Sequence, residues 1–136
     1  MPEKETLQRA KKDAKQGKAP STQAGEFVRE EMDHIREGKH GARSAKQAIA
    51  IGLSKARRAG VKLPPRQDGE KTTTPTTRKP SAKRSRASTA ALKKEGTAAA
   101  SHSALARQAK ASARKRGPAK RSAAAKKAAR TRARSR

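Results

Sequence analysis

The chain has 136 residues, 37 of them Lys or Arg against 11 Asp or Glu, for a formal charge of +26. The absence of Cys excludes disulfides, thiolate zinc sites and thiol catalysis. No run approaches the roughly 20 apolar residues of a membrane span, and the N-terminal MPEKETLQRAKKDAK lacks the apolar centre of a secretory signal.

Hydrophobic residues make up 31% of the chain, and most of them are Ala. Alanine buries too little surface to offset the entropy of ordering a chain, so much of the protein is expected to be disordered alone. The charge is also uneven. Residues 1–65 carry 15 basic and 8 acidic residues, and residues 66–136 carry 22 and 3. Three segments follow: a polar stretch over 1–19, a helical module over 20–65 and a basic tail over 66–136. The fold class is mainly α.

A short polar helix is expected from about Thr6 to Gln16, stopped at Gly17. Pro20-Ser21-Thr22 reads as a helix start. From there to Glu37, Ala24, Phe27, Val28, Met32 and Ile35 form one apolar stripe, and Gly38 ends the helix. Ser44-Ala45-Lys46-Gln47 fits a capping box, with Ser44 as N-cap and Gln47 reaching back. The helix it opens carries Ala45, Ala48, Ile49, Gly52, Leu53 and Ala56 on one face and stops at Gly60. The expectation is a helical hairpin, about 22–37 and 44–59, with a core of Phe27, Val28, Met32, Ile35, Ile49 and Leu53. So small a core is expected to dimerise or to fold on a partner.

Beyond Pro64-Pro65 the only large apolar residues are Leu92 and Leu105, and no acid follows Glu95. The segment KTTTPTTRKPSAKRSR is expected to lack fixed structure. From about Ser101 the Ala-rich sequence favours helix by propensity, but its own charge opposes it. The tail is therefore expected to be intrinsically disordered when free and partly helical on a phosphate backbone, broken at Gly117-Pro118.

Residues 25–65, GEFVREEMDHIREGKHGARSAKQAIAIGLSKARRAGVKLPP, resemble a family of small, basic, uncharacterised bacterial proteins, some of them labelled plasmid stabilisation protein. The resemblance is most specific over KHGARSAKQAIAIGLSKARRAG and implies a bacterial origin. The tail is similar in composition to the tails of linker histones and bacterial linker-histone-like proteins, through mixtures such as KPSAKRSR and SAAAKKAARTR. No winged-helix globular domain is visible.

A polycation of this size calls for a polyanionic partner. The candidate phosphate contacts are Lys83, Arg84, Arg86, Lys93, Lys94, Arg107, Lys110, Arg114, Lys115, Arg116, Lys120, Arg121, Lys126, Lys127, Arg130, Arg132, Arg134 and Arg136, because each neutralised phosphate releases condensed counterions. With no Trp or Tyr and one Phe, stacking on single strands is disfavoured. Arg114 to Arg121 resembles an AT-hook but lacks its second core Arg, so it reads as a basic stretch with a bend. Lys39, Arg43 and Lys46, beside His40, surround the N-terminus opened by Ser44, where free N–H groups favour an anion. Gln47, Ile51, Ser54 and Arg58 on the outer face of that helix would be the base-reading set if the hairpin were a helix-turn-helix.

Glu26, Glu30, Asp33 and Glu37 form an acidic ridge expected to dock a cation, from the basic tail, from Arg57 and Arg58 of a second copy, or from another basic protein. A metal site drawn through Glu30, His34 and Glu37 is too open to favour. No nucleophile constellation or phosphate loop appears. The reading is a non-enzymatic cytoplasmic protein of the nucleoid or a plasmid. It would bind DNA largely irrespective of sequence and use no cofactor, membrane or small-molecule substrate. The alternatives are an RNA-binding or ribosome-associated protein, and an adaptor that binds another protein through the hairpin and its ridge.

Overall fold

The structure is a computed structural model that describes residues 2–64 and 81–135. Pro65 to Pro80, with most of the Thr/Pro-rich segment, and Arg136 lie outside the described residues. The chain divides into two compact units, Met1–Ser101 and His102–Arg136. Among the described residues all regular structure is helical.

The first unit holds α1 (Lys4–Lys15), α2 (Pro20–Arg36), α3 (Ala45–Arg58), α4 (Ala82–Lys94) and a 3₁₀ turn at Ala98–Ala100. The hairpin of α2 and α3 matches the expected one to within two residues at each end. The first helix begins at Pro20, which fits an N1 position because no N–H is needed there. The turns that end α2 and α3 pass through Gly38 at φ 76° and Gly60 at φ 95°, the left-handed region that glycine enters without strain. At the start of α3, Gln47 N–H donates to Ser44 Oγ at 3.2 Å, and Gln47 Oε1 accepts from Arg43 N–H at 2.7 Å. The capping box forms, displaced by one residue on its return arm.

The core differs from the expected one in a way that geometry explains. Phe27, Met32 and Ile35 are buried, but Val28, Ile49 and Leu53 are only half-buried. The residues that α3 buries are Ala45, Ala48, Gly52 and Ala56. A Cβ on Gly52 would lie 2.7 Å from Val28 Cα. The two backbones approach so closely that only small side chains fit the seam, and the larger ones are pushed to its edges. Leu53 packs there with Leu7, Val61 and Leu63 against Ala10, Ala24, Phe27 and Ala56. Helix α1 thus joins the core, although Leu7 is its only large apolar residue.

The first unit also reaches past the Pro64-Pro65 break. Ala99 and Ala100 are buried, and Arg36 Nε donates to Ala100 O at 3.1 Å. The turn after α2 is hydrogen-bonded to the end of α4: Gly41 N–H to Leu92 O at 2.9 Å and Ala42 N–H to Gly96 O at 3.1 Å. The expectation of a dimer rested on the small core of the hairpin, to which α1 and the buried Ala99 and Ala100 add packing from within the chain.

The second unit is one long helix, α5 (His102–Arg134), interrupted at Gly117 (φ 74°, ψ 168°) where a break was expected. Pro118 then opens the second segment, again at a position that needs no N–H. The expected disordered tail is not borne out among its described residues. Over 82–94 and 102–134 the chain is helical, because alanine propensity and local hydrogen bonds form a helix without a core. Neither α4 nor α5 contains a buried residue.

A Gly-to-Ala change inside a helix ordinarily stabilises by about 1 kcal/mol. At Gly52 the opposite sign is expected. Gly52→Ala should lose about 1–3 kcal/mol to overpacking against Val28, read as a lower midpoint in urea unfolding.

Candidate functional site

The most unusual feature of the first unit is a pair of buried carboxylates. Glu30 is 3% exposed and Glu31 is fully buried. Glu31 falls on the stripe of Ala24, Phe27 and Ile35, one position to the side of the ridge read from the sequence. Lys55 from α3 serves both acids, with Nζ 2.6 Å from Glu31 Oε2 and 3.6 Å from Glu30 Oε1. Glu30 Oε2 also accepts the Glu3 N–H at 3.1 Å. The other oxygen of Glu31, Oε1, faces His40 Nε2 at 2.8 Å. These are contacts by distance. Neither Glu31 oxygen, nor Glu30 Oε1, has an aligned hydrogen bond.

Around this pair lies a polar shell. His34 and His40 meet edge to face with ring centroids 6.4 Å apart. His34 Nε2 is 3.0 Å from Glu3 Oε1, and Lys39 Nζ is 3.4 Å from the same oxygen. The hydrogen bond with His34, and then that from Lys39, hold the Glu3 carboxyl below the usual carboxylate range. Lys39 is raised above the usual lysine range, first by its hydrogen bond to Glu37. Glu31, His34 and His40 bring one ligand atom each to within 4.8 Å of one another. The metal set drawn from sequence used Glu30 and Glu37 instead. Glu37 sits on an exposed face and pairs with Lys39 at 3.0 Å.

The acidic ridge does not stand as a free surface. Glu26 pairs with Arg9 at 2.6 Å, Asp33 with Arg36 at 3.7 Å, and Glu30 is turned inward to Lys55. Each acid of residues 2–64 has a cationic or imidazole partner in the same unit; Glu5 pairs with Arg9 and Asp13 with Lys18. The cations expected from the tail are supplied locally.

The expected anion site at the start of α3 is partly occupied by its own cap, since Ser44 Oγ takes the Gln47 N–H and Gln47 Oε1 takes that of Arg43 just before the cap. Lys39 is engaged by Glu37 and Glu3, while Arg43 and Lys46 are exposed. The face of Gln47, Ile51, Ser54 and Arg58 lines a groove whose other wall is Arg84, Ser85, Ser88, Thr89 and Leu92 of α4. A DNA major groove would need that wall removed.

The Lys and Arg of α4 and α5 are exposed throughout. Over α5, Arg107, Lys110 and Arg114 follow one face, and after the break Lys127, Arg130 and Arg134 follow another at the same spacing. No helix among the described residues is long and apolar enough to cross a membrane.

Removing Lys55 strands two buried carboxylates, and breaking a buried pair from one side costs about 3–5 kcal/mol. Lys55→Ala is expected to lower stability by that amount in chemical denaturation. Adding Glu31→Gln to it should recover part of the loss, because one of the stranded charges is gone.

Compared with known proteins, residues 3–67 match a family described as a family of unknown function (DUF6496). No curated protein and no solved structure matches the chain. The matched residues cover α1, α2 and α3 together with the buried Glu/Lys/His cluster, and leave out α4 and α5.

Proposed function

We propose that this protein binds DNA largely irrespective of sequence, as a nucleoid- or plasmid-associated protein, through the exposed cations of α4 and α5. The observation that carries the reading is α5 itself: 33 residues without one acid, whose Lys and Arg are all exposed. Charges distributed around a helix with no apolar face suit a phosphate backbone better than a lipid surface, which would need such a face. The lack of Trp and Tyr removes the stacking platforms that single strands use. The resemblance of the tail to linker-histone tails points the same way. RNA is the alternative, and competition between duplex DNA and structured RNA decides it: a strong RNA preference overturns the choice of DNA.

The tail helix is only as stable as its charge allows. At low salt and without a partner, like charges along α5 oppose it, and no tertiary packing within the unit compensates. Binding to duplex DNA neutralises those charges. Circular dichroism of the full chain at low salt should therefore gain helical signal on addition of DNA, and an unchanged spectrum counts against the coupling.

Contact with about 10 phosphates gives a slope near −9 for log K against log salt. Replacing Arg114, Lys115, Arg116, Lys120 and Arg121 together by Gln should reduce the magnitude of that slope by up to about 4.5, at roughly 0.9 per lost contact. An affinity that is flat in salt, or a slope unmoved by the five substitutions, defeats the electrostatic account.

A further inference from the structure

We propose that Glu31, His34 and His40 bind one divalent first-row transition ion, of the zinc type, at the elbow between α2 and α3. The inference stands apart from the nucleic-acid reading, since it uses none of the tail residues. It also departs from the sequence expectation, which drew its ligands through Glu30, His34 and Glu37 and found that ridge too open.

The first support is the donor set. Two imidazoles and one carboxylate suit zinc and its neighbours, and three protein ligands leave a place for water. Their ligand atoms already lie within 4.8 Å of one another. Bonds of about 2.0–2.1 Å to a tetrahedral ion would put them about 3.3 Å apart. Glu31 Oε1 and His40 Nε2, at 2.8 Å, are already that close.

The second support is the pattern of protons. His40 Nδ1 lies 3.0 Å from Gly41 O. A carbonyl oxygen only accepts, so Nδ1 carries the proton, and in the neutral ring Nε2 presents a lone pair. That lone pair faces Glu31 Oε1, another acceptor, which is fully buried and has no aligned hydrogen bond. Two acceptors in contact need a positive charge between them, which a metal ion or a proton on Nε2 supplies. His34 is oriented in the way metal-bound histidines are, by a carboxylate on its Nε2, Glu3 Oε1 at 3.0 Å. Glu31 is held from behind through Oε2 by Lys55. Two ligands thus have partners that fix their orientation, and the third, His40, is fixed by its own backbone.

The third support is charge. Glu30 and Glu31 bring two negative charges into the interior, and Lys55 brings one positive charge to share between them. A bound dication covers the deficit. The site ties α2 to the turn that leads into α3. A small, alanine-rich core without disulfides gains most from such a clip.

The test uses the full chain, freed of nucleic acid and treated with chelator, titrated with Zn2+ alone by calorimetry. One saturable site per chain and a rise in melting temperature with Zn2+ are expected. His34→Gln and His40→Gln should each weaken binding by about tenfold or more. His102→Gln, which alters the one histidine outside the proposed ligand set, should leave it unchanged. Absence of one-to-one binding up to about 100 µM free Zn2+, or binding that both variants leave intact, overturns the proposal. In the first case His40 is simply a protonated partner of Glu31. Should either variant fail to fold, Co2+ on the unaltered chain decides. Two exchangeable, hyperfine-shifted imidazole N–H resonances support the site, and fewer than two overturn it.

Discussion

Two adjacent glutamates facing the interior constrain everything around them. A carboxylate taken out of water is costly unless a cation accompanies it. Glu31 is fully buried, and Glu30 nearly so. Lys55 can reach both only if α3 lies at a fixed height along α2 and close to it. His40 can reach Glu31 only if the turn after Gly38 folds back over the end of α2. The positions of α3 and of the turn thus follow from one electrostatic requirement. A hydrophobic seam made mostly of alanine would specify them weakly, since alanines slide past one another at little cost. A buried charge pair tolerates no such slip. Polar groups here supply register in a core too bland to supply it.

Close approach is the second half of the same solution. Lys55 spans the gap to both carboxylates while Gly52 lets the α3 backbone meet Val28. The seam is narrow where Ala48, Gly52 and Ala56 line it. Ile49 and Leu53 at its edges remain half-buried. A second close contact closes the other end. Gly41 lies against the backbone of Glu95 and Gly96, where a Cβ would collide with the Glu95 carbonyl. The turn between α2 and α3 is therefore held from two sides, by His40 on Glu31 and by residues 92–96 on its backbone.

Much of this was legible beforehand. The hairpin, its glycine stops, the Ser44 cap and the break at Gly117 are local signals, each set by a few neighbouring residues and a backbone preference. Glu31 was legible in principle, because it continues the spacing of Ala24 and Phe27 toward Ile35, and an acid on an apolar stripe announces a buried partner. The partner was not legible. Lys55 lies on another helix, and its role depends on the height at which the helices pack. His40 looked like part of a basic turn, and only the folded turn aims it at Glu31. The ridge of Glu26, Glu30, Asp33 and Glu37 was correct as a spacing. It misled as a surface, because helical spacing does not reveal which cations stand opposite. The part played by residues 92–100 lay beyond local reading altogether, since backbone carbonyls carry no sequence signature.

The internal pairing of the acids bears on how so basic a protein can work. A polycation joined to a module with unpaired carboxylates would fold back on it, and each such contact would have to be broken before a phosphate could be bound. In this chain Glu3, Glu5, Asp13, Glu26, Glu30, Glu31, Asp33 and Glu37 all have partners within their own unit. Exposed pairs such as Glu37 with Lys39 contribute little to stability. Their consequence is negative: they leave few carboxylates open to the cations of α4 and α5. One acid in α5, or one surface pair replaced by a lone acid, would begin to undo that arrangement. The sorting of charge has therefore two parts. Acids are concentrated in the helical module and paired there, and the second unit carries no acid at all.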